Sequence, residues 1–200
     1  MRRPARAILL AGMILCVPAM AAPADGPALY ASGRYLVDGG ATKVHFHVKA
    51  LLGSYDGDFL APEGAVTIDA ARPDRAAVDI VFPVEKLTSG DASIDAMLKG
   101  GSFFDGEHFP TVRFAATDAP LAGSQADTAI PGELTMHGQT RPVILSIRLI
   151  GVTSDEAPGL SVLHFAGALS VERSQFGMGF ARPFVSDKVD LTIDAIFRRP

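Results

Sequence analysis

Two histidines at alternate positions of one extended segment are the first residues that could bind a metal ion. His45 and His47 lie in residues 42–50, where apolar and polar side chains alternate, so both imidazoles are expected on one face of a strand. Lys43 and Lys49 fall on the same face, and their positive charges would repel a cation. We therefore expect solvated, outward-facing histidines and predict no metal site.

The other three histidines do not predict a site either. His137 falls in a polar turn, where we expect it to be exposed or hydrogen-bonded. His164 shares its strand parity with two alanines, which predicts an outward side chain. His108 precedes Phe109 and a proline, and we expect it to order that loop.

Acidic and hydroxyl side chains predict no catalytic centre. Asp56, Asp58 and Glu63 crowd one loop without the spacing of a calcium-binding loop, so a solvated acidic turn is the better interpretation. No serine lies on the sharp, glycine-flanked turn that a hydrolase nucleophile requires. A pair of carboxylates for glycoside hydrolysis stays open, because a sequence does not reveal distances between segments. We predict that the protein is not an enzyme.

The charge balance and the single cysteine narrow the classes of partner. The chain has 18 Lys and Arg against 22 Asp and Glu, a net charge of −4, and loss of the three arginines in residues 1–21 lowers it to −7. This balance argues against nucleic acid as a partner, and weakly against docking to anionic lipid by charge. Cys16 lies in the apolar N-terminal run, so we predict no disulfide and no thiol site in the mature protein.

The N-terminus has the pattern of a secretion signal. Three arginines precede an apolar run over residues 7–17, which is too short to span a bilayer, and an Ala-Met-Ala sequence ends at Ala21. We predict a signal peptide over residues 1–21 that is removed on export to the periplasm. Residues 22–33, rich in alanine and proline, are predicted to be a flexible N-terminus of the mature chain.

The clearest structural pattern lies in residues 128–151, where two alternating apolar runs flank a polar turn. Ile130 and Leu134 share one parity before the turn, and Leu145 and Ile147 share one parity after it. Because successive strand side chains point to opposite faces, this segment predicts a β-hairpin with one apolar face. A glycine in the turn supplies the positive φ that such a connection needs.

The same alternation recurs along the chain and is interrupted once by a helical spacing. Roughly eight strands with hairpin-like connections indicate a sandwich or a barrel, and closure into a barrel would leave no open edges. Asp91 can cap a helix in which Met97 and Leu98 lie one turn after an isoleucine. We predict an all-β fold, an eight-stranded antiparallel barrel that forms one domain over residues 34–198, with one short helix near residues 91–99.

The inward parity of many strands carries large apolar side chains. A closed barrel of about eight strands either fills its interior with them or holds an apolar ligand. Small residues at inward positions (Ala116, Gly132, Gly167 and Ala195) would leave room for a ligand. The predicted ligand-binding wall consists of Phe46, Val48, Phe59, Ile68, Ile80, Phe82, Met97, Phe114, Leu134, Leu145, Ile147, Phe165, Leu191 and Ile193.

Four motifs in sequence order resemble those of the YceI-like family. Residues 103–114 (FFDGEHFPTVRF) are similar to its F-D-x-x-x-x-P-x-x-x-F segment, and residues 132–143 (GELTMHGQTRPV) to its G-x-L-T-x-x-G-x-T-x-P-V hairpin. RSQFGM at residues 173–178 and DKVDL at residues 187–191 are similar to its R-x-x-F-G-M and D-x-V-x-L motifs. The resemblance extends over about residues 35–197, nearly the whole predicted mature chain.

The resemblance implies a lipocalin-like barrel in the periplasm. Such a barrel encloses a long polyisoprenoid or a similar amphiphilic lipid, a quinone-type tail included, for transport or storage and often as a homodimer. It implies no catalytic residue. We predict no metal and no cofactor other than such a lipid ligand. Family members often have histidine where Ala50 stands here, so any role of that histidine does not transfer to this chain.

Only a long apolar chain would bind well in such a barrel. Each buried methylene group contributes ~0.8 kcal/mol, whereas association costs roughly 4–15 kcal/mol. A tail of about five methylenes would therefore barely offset the cost of association. This comparison favours an isoprenoid or quinone tail over a small apolar molecule.

Two alternatives stand beside lipid binding. An outer-membrane barrel would turn its apolar faces outward, but the chain has no Trp and only three Tyr for the aromatic girdles of such barrels. We therefore predict no stable membrane insertion. An enzyme acting on a lipid held in the barrel would need a polar cluster at the mouth, for which Arg173 and His108 are the candidates.

Overall fold

The computed structural model describes residues 31–121, 127–154 and 161–200. The predicted signal peptide and most of the predicted flexible N-terminus lie outside the described residues. Ser32, near the end of that N-terminal segment, accepts a hydrogen bond from the Ala70 backbone N–H at 2.7 Å. The chain is therefore already attached to the barrel at this point.

Eleven antiparallel strands and one helix build the described part of the chain. The strands are β1 (Gly33–Val37), β2 (Lys43–Ala50), β3 (Gly53–Phe59), β4 (Glu63–Ile68), β5 (Ala76–Pro83), β6 (Leu87–Thr88), β7 (Thr111–Ala119), β8 (Thr128–Met136), β9 (Gln139–Ser154), β10 (Ser161–Glu172) and β11 (Val185–Arg198). The helix α1 spans Ala92–Lys99, and short 3-10 turns span Pro73–Arg75, Val84–Lys86 and Arg173–Phe176. The all-β prediction is confirmed, and so is the predicted helix.

Eight of these strands close into a ring. Their order is β1, β4, β5, β7, β8, β9, β10 and β11, and β11 pairs again with β1 through Leu36 opposite Arg198 and Val37 opposite Phe197. Closure leaves the ring without an open edge. The ring confirms the predicted eight-stranded antiparallel barrel.

Strand β11 also joins the ring to a second group of strands. Its first part pairs with β2, from Val185 opposite Ala50 to Asp194 opposite Lys43, and only its end reaches β1. β2 pairs in turn with β3, and β3 pairs with the two-residue β6. The strands β2, β3 and β6 thus extend the wall of the barrel on one side.

Strand β3 corrects one expectation from the sequence. A solvated acidic turn is predicted at Asp56 and Asp58, but both residues lie within a regular strand, and Glu63 begins β4. Asp56 lies opposite His47 of β2, and Asp58 lies opposite His45. These cross-strand partners stabilise a segment whose glycines and aspartates have a low intrinsic preference for strands.

Gly57 permits a close contact between β3 and its surroundings. A Cβ atom at this position would lie 2.5 Å from Cζ of Phe46 and 2.5 Å from the carbonyl oxygen of Thr88. Glycine therefore lets the Phe46 ring and the backbone of β6 approach β3 from two directions.

The hairpin predicted in residues 128–151 consists of β8 and β9, and its turn is shorter than the polar turn at residues 137–140 that the sequence predicts. Only His137 and Gly138 connect the strands, because Met136 already pairs with Gln139. Both turn residues have positive φ, 49° and 68°, which is the geometry of a two-residue hairpin turn.

Helix α1 begins and ends at the residues that the sequence indicates. The Asp91 carboxylate accepts hydrogen bonds from the backbone N–H groups of Ser93 and Ile94 at 2.8 and 3.2 Å. Gly100 follows the last turn. Over the described ranges, no helix is long and apolar enough to cross a membrane.

Fully buried side chains lie at one end of the barrel. Tyr35 and Leu163 are 0% exposed and Ile68 is 2% exposed, at the end where β1 and β10 begin and β4 ends. Ala76 and Ala119 are also fully buried, where β5 begins and β7 ends. We call the opposite end, where β2, β5 and β8 end, the mouth.

Replacing Gly57 by alanine tests the contact between β3 and β6. The added Cβ would collide with backbone as well as with a ring, so we expect Gly57→Ala to lower the free energy of unfolding by about 1–3 kcal/mol. Urea unfolding measures this loss. Gly151→Ala is the control, since a Cβ there has no atom within 4 Å, and it should stay within about 0.5 kcal/mol of wild type. Equal stability of the two variants would contradict the contact.

Candidate ligand-binding site

A cavity of about 200 Å³ occupies the interior of the barrel and is partly open to solvent. Ile130 and Met136 of β8 both line it, and their separation at roughly 3.4 Å per residue corresponds to about 20 Å along the strand. The volume far exceeds the ~10–15 Å³ that one water molecule needs. The barrel is therefore not completely filled by its own side chains.

All but two of the residues predicted for the wall line this cavity. They come from β2, β3 and β5 and from the five strands β7 to β11. Their alternate spacing along each strand turns their side chains toward the interior. The residues concerned are Phe46, Val48, Phe59, Ile80, Phe82, Phe114, Leu134, Leu145, Ile147, Phe165, Leu191 and Ile193. That they bind a ligand stays a prediction.

Ile68 and Met97 do not belong to the wall. Ile68 is buried at the end of β4 without lining the cavity, and Val66 is the residue of β4 that lines it. Met97 is 44% exposed, because α1 turns the neighbouring Leu98 toward the cavity instead. The two-residue period predicts the face of a strand but not where along the strand the cavity ends.

Several wall residues at the mouth are not predicted from the sequence. Phe103 and Phe104 lie in the loop after α1, and Met178 lies in the connection before β11. No strand or helix period extends over these loops. The sequence signals at these positions are the density of aromatic residues after α1 and the motifs at residues 103–114 and 173–178, which do not show that the side chains face the cavity.

Phenylalanine rings form a connected group in the wall. The Phe59 ring lies at its centre, with centroid distances of 6.0 Å to Phe46, 6.1 Å to Phe82 and 5.6 Å to Phe104. All three contacts are edge-to-face, and each contributes about 0.5–1.5 kcal/mol beyond burial. They hold the loop after α1 against β2, β3 and β5.

Small residues open the interior at two of the four expected positions. Gly167 and Ala195 line the cavity. The space at Gly132 is taken by the Phe114 ring, whose Cζ lies 2.6 Å from the position of a Cβ. Ala116 is buried but does not reach the cavity.

The wall offers almost no polar group to a ligand. Among the described residues that line the cavity, Thr42 and Arg173 are the only ones with polar side chains, and the exposed surface of the wall is apolar. The Thr42 hydroxyl donates to the carbonyl oxygen of Ile196 at 3.2 Å and accepts from its N–H at 2.9 Å. A molecule in this cavity therefore meets hydrocarbon on all sides.

Arg173 is a buried cation beside the mouth, and its guanidinium is bound by backbone. It donates hydrogen bonds to the carbonyl oxygens of Met178 (2.5 Å), Phe180 (2.7 Å), Val185 (3.0 Å) and Ser186 (2.9 Å). These four bonds hold residues 178–186 against the barrel. Arg173 is thus part of the framework of the mouth.

The charge of Arg173 is balanced by Asp187. Burial lowers the pKa of Arg173, but an arginine stays protonated in proteins. Burial also acts to raise the pKa of Asp187, yet hydrogen bonds from the hydroxyl and the N–H of Ser174, at 2.6 and 2.9 Å, lower that pKa on balance. The carboxylate is therefore ionised near the guanidinium.

The polar cluster that a lipid-processing enzyme would need is not formed by the two candidates. The guanidinium of Arg173 already donates hydrogen bonds to four backbone carbonyl oxygens. The His108 side chain is 70% exposed, lies 2.9 Å from the Asp105 carboxylate and does not line the cavity. We assign no catalytic residue.

The paired histidines of β2 face outward, as predicted, and each has an acidic partner on β3. His45 Nδ1 lies 2.9 Å from an Asp58 carboxylate oxygen, and His47 Nδ1 lies 2.6 Å from one of Asp56. Within the described ranges, no group of three or more His, Cys, Asp or Glu residues could hold a metal ion.

The remaining histidines also behave as the sequence indicates. His137 Nδ1 lies 2.9 Å from the carbonyl oxygen of Phe176, so this turn residue is hydrogen-bonded. His164 lies on the outer face, with Nε2 2.6 Å from an Asp194 carboxylate oxygen. His108 orders its loop through Asp105.

On β2 and β11, the distribution of polar side chains argues against the outer-membrane alternative. The apolar parity of β2 and β11 lines the cavity, whereas Lys43, Lys49, Asp190 and Asp194 occupy the other parity. A membrane-spanning barrel requires an apolar band on its outer surface. The two faces are arranged in the opposite way here.

The fold and the cavity together define a class of protein, a small antiparallel barrel around an apolar interior. The chain belongs to the YceI-like family, since the family model of the YceI-like domain matches residues 35–197. A relative from Pseudomonas fluorescens named UPF0312 protein is 30% identical over 186 residues, which cover 87% of this chain and 93% of that protein. The resemblance inferred from the sequence motifs is confirmed.

Solved structures share the fold. BcnA of Burkholderia cenocepacia has a TM-score of 0.67 at 24% identity, over 80% of this chain and 98% of that one. A polyisoprenoid binding domain from Saccharophagus degradans, implicated in plant cell wall breakdown, has a TM-score of 0.63 at 10% identity, over 83% and 98%. At these identities, the similarity establishes the fold.

Removing the Arg173 side chain should loosen the mouth. Arg173→Met leaves four carbonyl oxygens without their donor, so we expect the free energy of unfolding to fall by roughly 2–4 kcal/mol. Urea unfolding measures the loss, and faster amide exchange in residues 178–186 would locate it. Arg141→Met is the control, because Arg141 is an exposed donor to its own hairpin turn. Wild-type stability of Arg173→Met would show that the four bonds do not hold the mouth.

The His45–Asp58 pair predicts a dependence on pH. The hydrogen bond to Asp58 is the main cause that raises the pKa of His45 above its ordinary 6.5. The protonated pair therefore stabilises the fold below pH ~6.5, and this contribution is lost as the pH rises through the raised pKa. Because both side chains are well exposed, the effect on stability is small.

An NMR titration of the imidazole protons measures this pKa directly. We expect a value above 6.5 for His45, and a return toward 6.5 in Asp58→Asn. Asp79→Asn, which removes the partner of Arg113 instead, should leave the pKa of His45 unchanged. An Asp58→Asn variant with the wild-type pKa would contradict the assigned cause.

Proposed function

We propose that this protein binds the apolar chain of a lipid inside its barrel. The observation that carries the proposal is the continuous apolar wall, whose one hydroxyl, that of Thr42, is already hydrogen-bonded to backbone. Such a space gives water no hydrogen-bond partner. It gives a hydrocarbon chain contact on all sides.

The dimensions of the cavity favour a long chain. About ten methylenes at ~0.8 kcal/mol each contribute roughly 8 kcal/mol, which is comparable to the cost of association of roughly 4–15 kcal/mol, so each further methylene raises the affinity. We place the tail of such a chain at the end where Tyr35 and Leu163 are fully buried. Its polar end would then lie at the mouth.

We propose a polyisoprenoid or a quinone tail as the ligand. An isoprenoid chain has no polar atom along its length, which suits a wall without free hydrogen-bonding groups. Membership of the YceI-like family supports this choice. So does the similarity in fold to the Saccharophagus degradans domain, which is described as polyisoprenoid binding.

We further propose that the protein shields this chain from water in the periplasm, for transport or storage. The predicted signal peptide in residues 1–21 supports export. The lack of a catalytic arrangement among the described wall residues favours binding over turnover. A homodimer, which the family resemblance implies, stays a prediction.

Extraction of the natively purified protein with organic solvent, followed by mass spectrometry, tests the proposed ligand. We expect an isoprenoid or quinone lipid in an amount close to that of the protein. An extract without lipid, together with no binding of added isoprenoid alcohol, would overturn the proposed function.

A cavity-filling variant tests where the lipid binds. Ala195 is buried, lines the cavity and lies opposite Phe165, so Ala195→Leu places extra carbon atoms in the space of the chain. We expect less lipid in the extract, at a cost in stability of about 1–3 kcal/mol at most. The matched control is Ala168→Leu on the exposed outer face of β10, which should leave the lipid content unchanged. The same lipid content in both variants would exclude the cavity as the site.

A further inference from the structure

Four large apolar side chains are exposed together at one side of the mouth. Leu51 and Leu52 are 73% and 97% exposed in the turn between β2 and β3. Phe180 and Phe184 are 55% and 64% exposed in the connection before β11. The Leu51 N–H donates to the carbonyl oxygen of Phe184 at 2.8 Å, so the two segments are joined. We call these four residues the apolar rim.

The apolar rim is continuous with the cavity. Val48 lies a few residues before the exposed leucines, and Val185 directly follows Phe184. Both valines line the cavity. The Phe180 ring packs edge-to-face on Phe103, another wall residue, at a centroid distance of 5.6 Å. Apolar contacts therefore link the rim to the wall of the cavity.

The rim has a fixed backbone. Arg173 donates hydrogen bonds to the carbonyl oxygens of Phe180 and Val185, and Val185 pairs with Ala50 across the two segments. The exposure of the rim side chains is thus a property of an ordered surface, because their backbone is held on both sides.

The charge of the rim differs from that of the rest of the chain. The chain as a whole has 22 acidic and 18 basic residues. The two rim segments, residues 49–55 and 177–186, contain Lys49 and Arg182 and no acidic residue. A positive border around apolar side chains complements the phosphate groups at a lipid surface.

The nearest acidic groups along the chain are already bound by other partners. Asp56 lies 2.6 Å from His47. Asp187 accepts hydrogen bonds from Ser174 and also faces Arg182 at 3.4 Å. The border of the rim therefore keeps a basic character, with Lys49 on one side and Arg182, partly offset by Asp187, on the other.

We propose that the apolar rim docks on the surface of a lipid bilayer. The four side chains would enter the boundary between headgroups and acyl chains, with Lys49 and Arg182 at the level of the phosphates. In this position the mouth opens directly onto the acyl chains. The role of docking in lipid exchange rests on the proposed function, since a long apolar chain dissolves in a bilayer and not in water. The docking of the rim on a bilayer does not depend on that function.

Co-flotation of the purified protein with vesicles of phosphatidylethanolamine and phosphatidylglycerol in equal parts tests the docking. We expect the wild type to float with the vesicles. The double variant Leu52→Ser and Phe184→Ser should bind the vesicles more weakly. We expect the partition coefficient to fall by up to about tenfold for each side chain removed. Ile144→Ser is the matched control, since Ile144 is 67% exposed on β9 outside the rim, and it should float like the wild type.

Charge reversal tests the basic border separately. Lys49→Glu should weaken flotation with these anionic vesicles more than flotation with vesicles of phosphatidylcholine alone. An equal effect on both kinds of vesicle would contradict the complementarity of charge on which the choice of a bilayer rests.

Three results would overturn the proposal. The wild type could fail to float, the double variant could float like the wild type, or light scattering could show that the double variant has half the mass of the wild type. The last result would place a second copy of the chain on the rim in place of a bilayer.

A parallel measurement separates docking from binding in the cavity. Both proteins are first stripped of bound lipid and then titrated with N-phenylnaphthylamine, an apolar fluorophore. Equal binding of the fluorophore, with flotation of the wild type alone, supports docking through the rim. Flotation of the wild type without any binding of the fluorophore would contradict the proposed function and would leave the docking surface supported.

Discussion

The double pairing of β11 is the constraint on which the rest of the structure depends. One edge of this strand holds β2 along its first part and β1 at its end, so a single strand closes the ring and also attaches the strands that extend its wall. The pairing fixes the register, which turns Leu191, Ile193 and Ala195 to the interior. A shift by one residue would place Asp190 and Asp194 inside instead.

The strand period explains which wall residues the sequence predicts. Phe46, Phe114 and Ile193 follow from alternation alone, because closure turns every second residue of a strand toward one interior. The period says nothing about depth, so Ile68 has the right parity but does not line the cavity. A helix of two turns presents one residue to the interior, and Leu98, not Met97, is that residue.

Contacts between distant segments account for what the sequence does not reveal. β3 has little intrinsic strand preference and becomes a strand because it pairs with β2 over its whole length and Gly57 admits a ring. The partners of Arg173 are carbonyl oxygens, and no side-chain pattern predicts them. Together with Asp187 they replace the water that a buried cation loses, which makes this charge tolerable beside an apolar space.

If a chain enters the barrel only at the mouth, away from the buried Tyr35 and Leu163, the interior acts as a blind tube. A molecule enters and leaves such a tube through the same opening, and a long chain cannot turn over inside it. For a lipid of the proposed kind, entry would be tail first and departure head first. The last part to arrive would be the first to leave, so an acceptor would always meet the polar group before the chain.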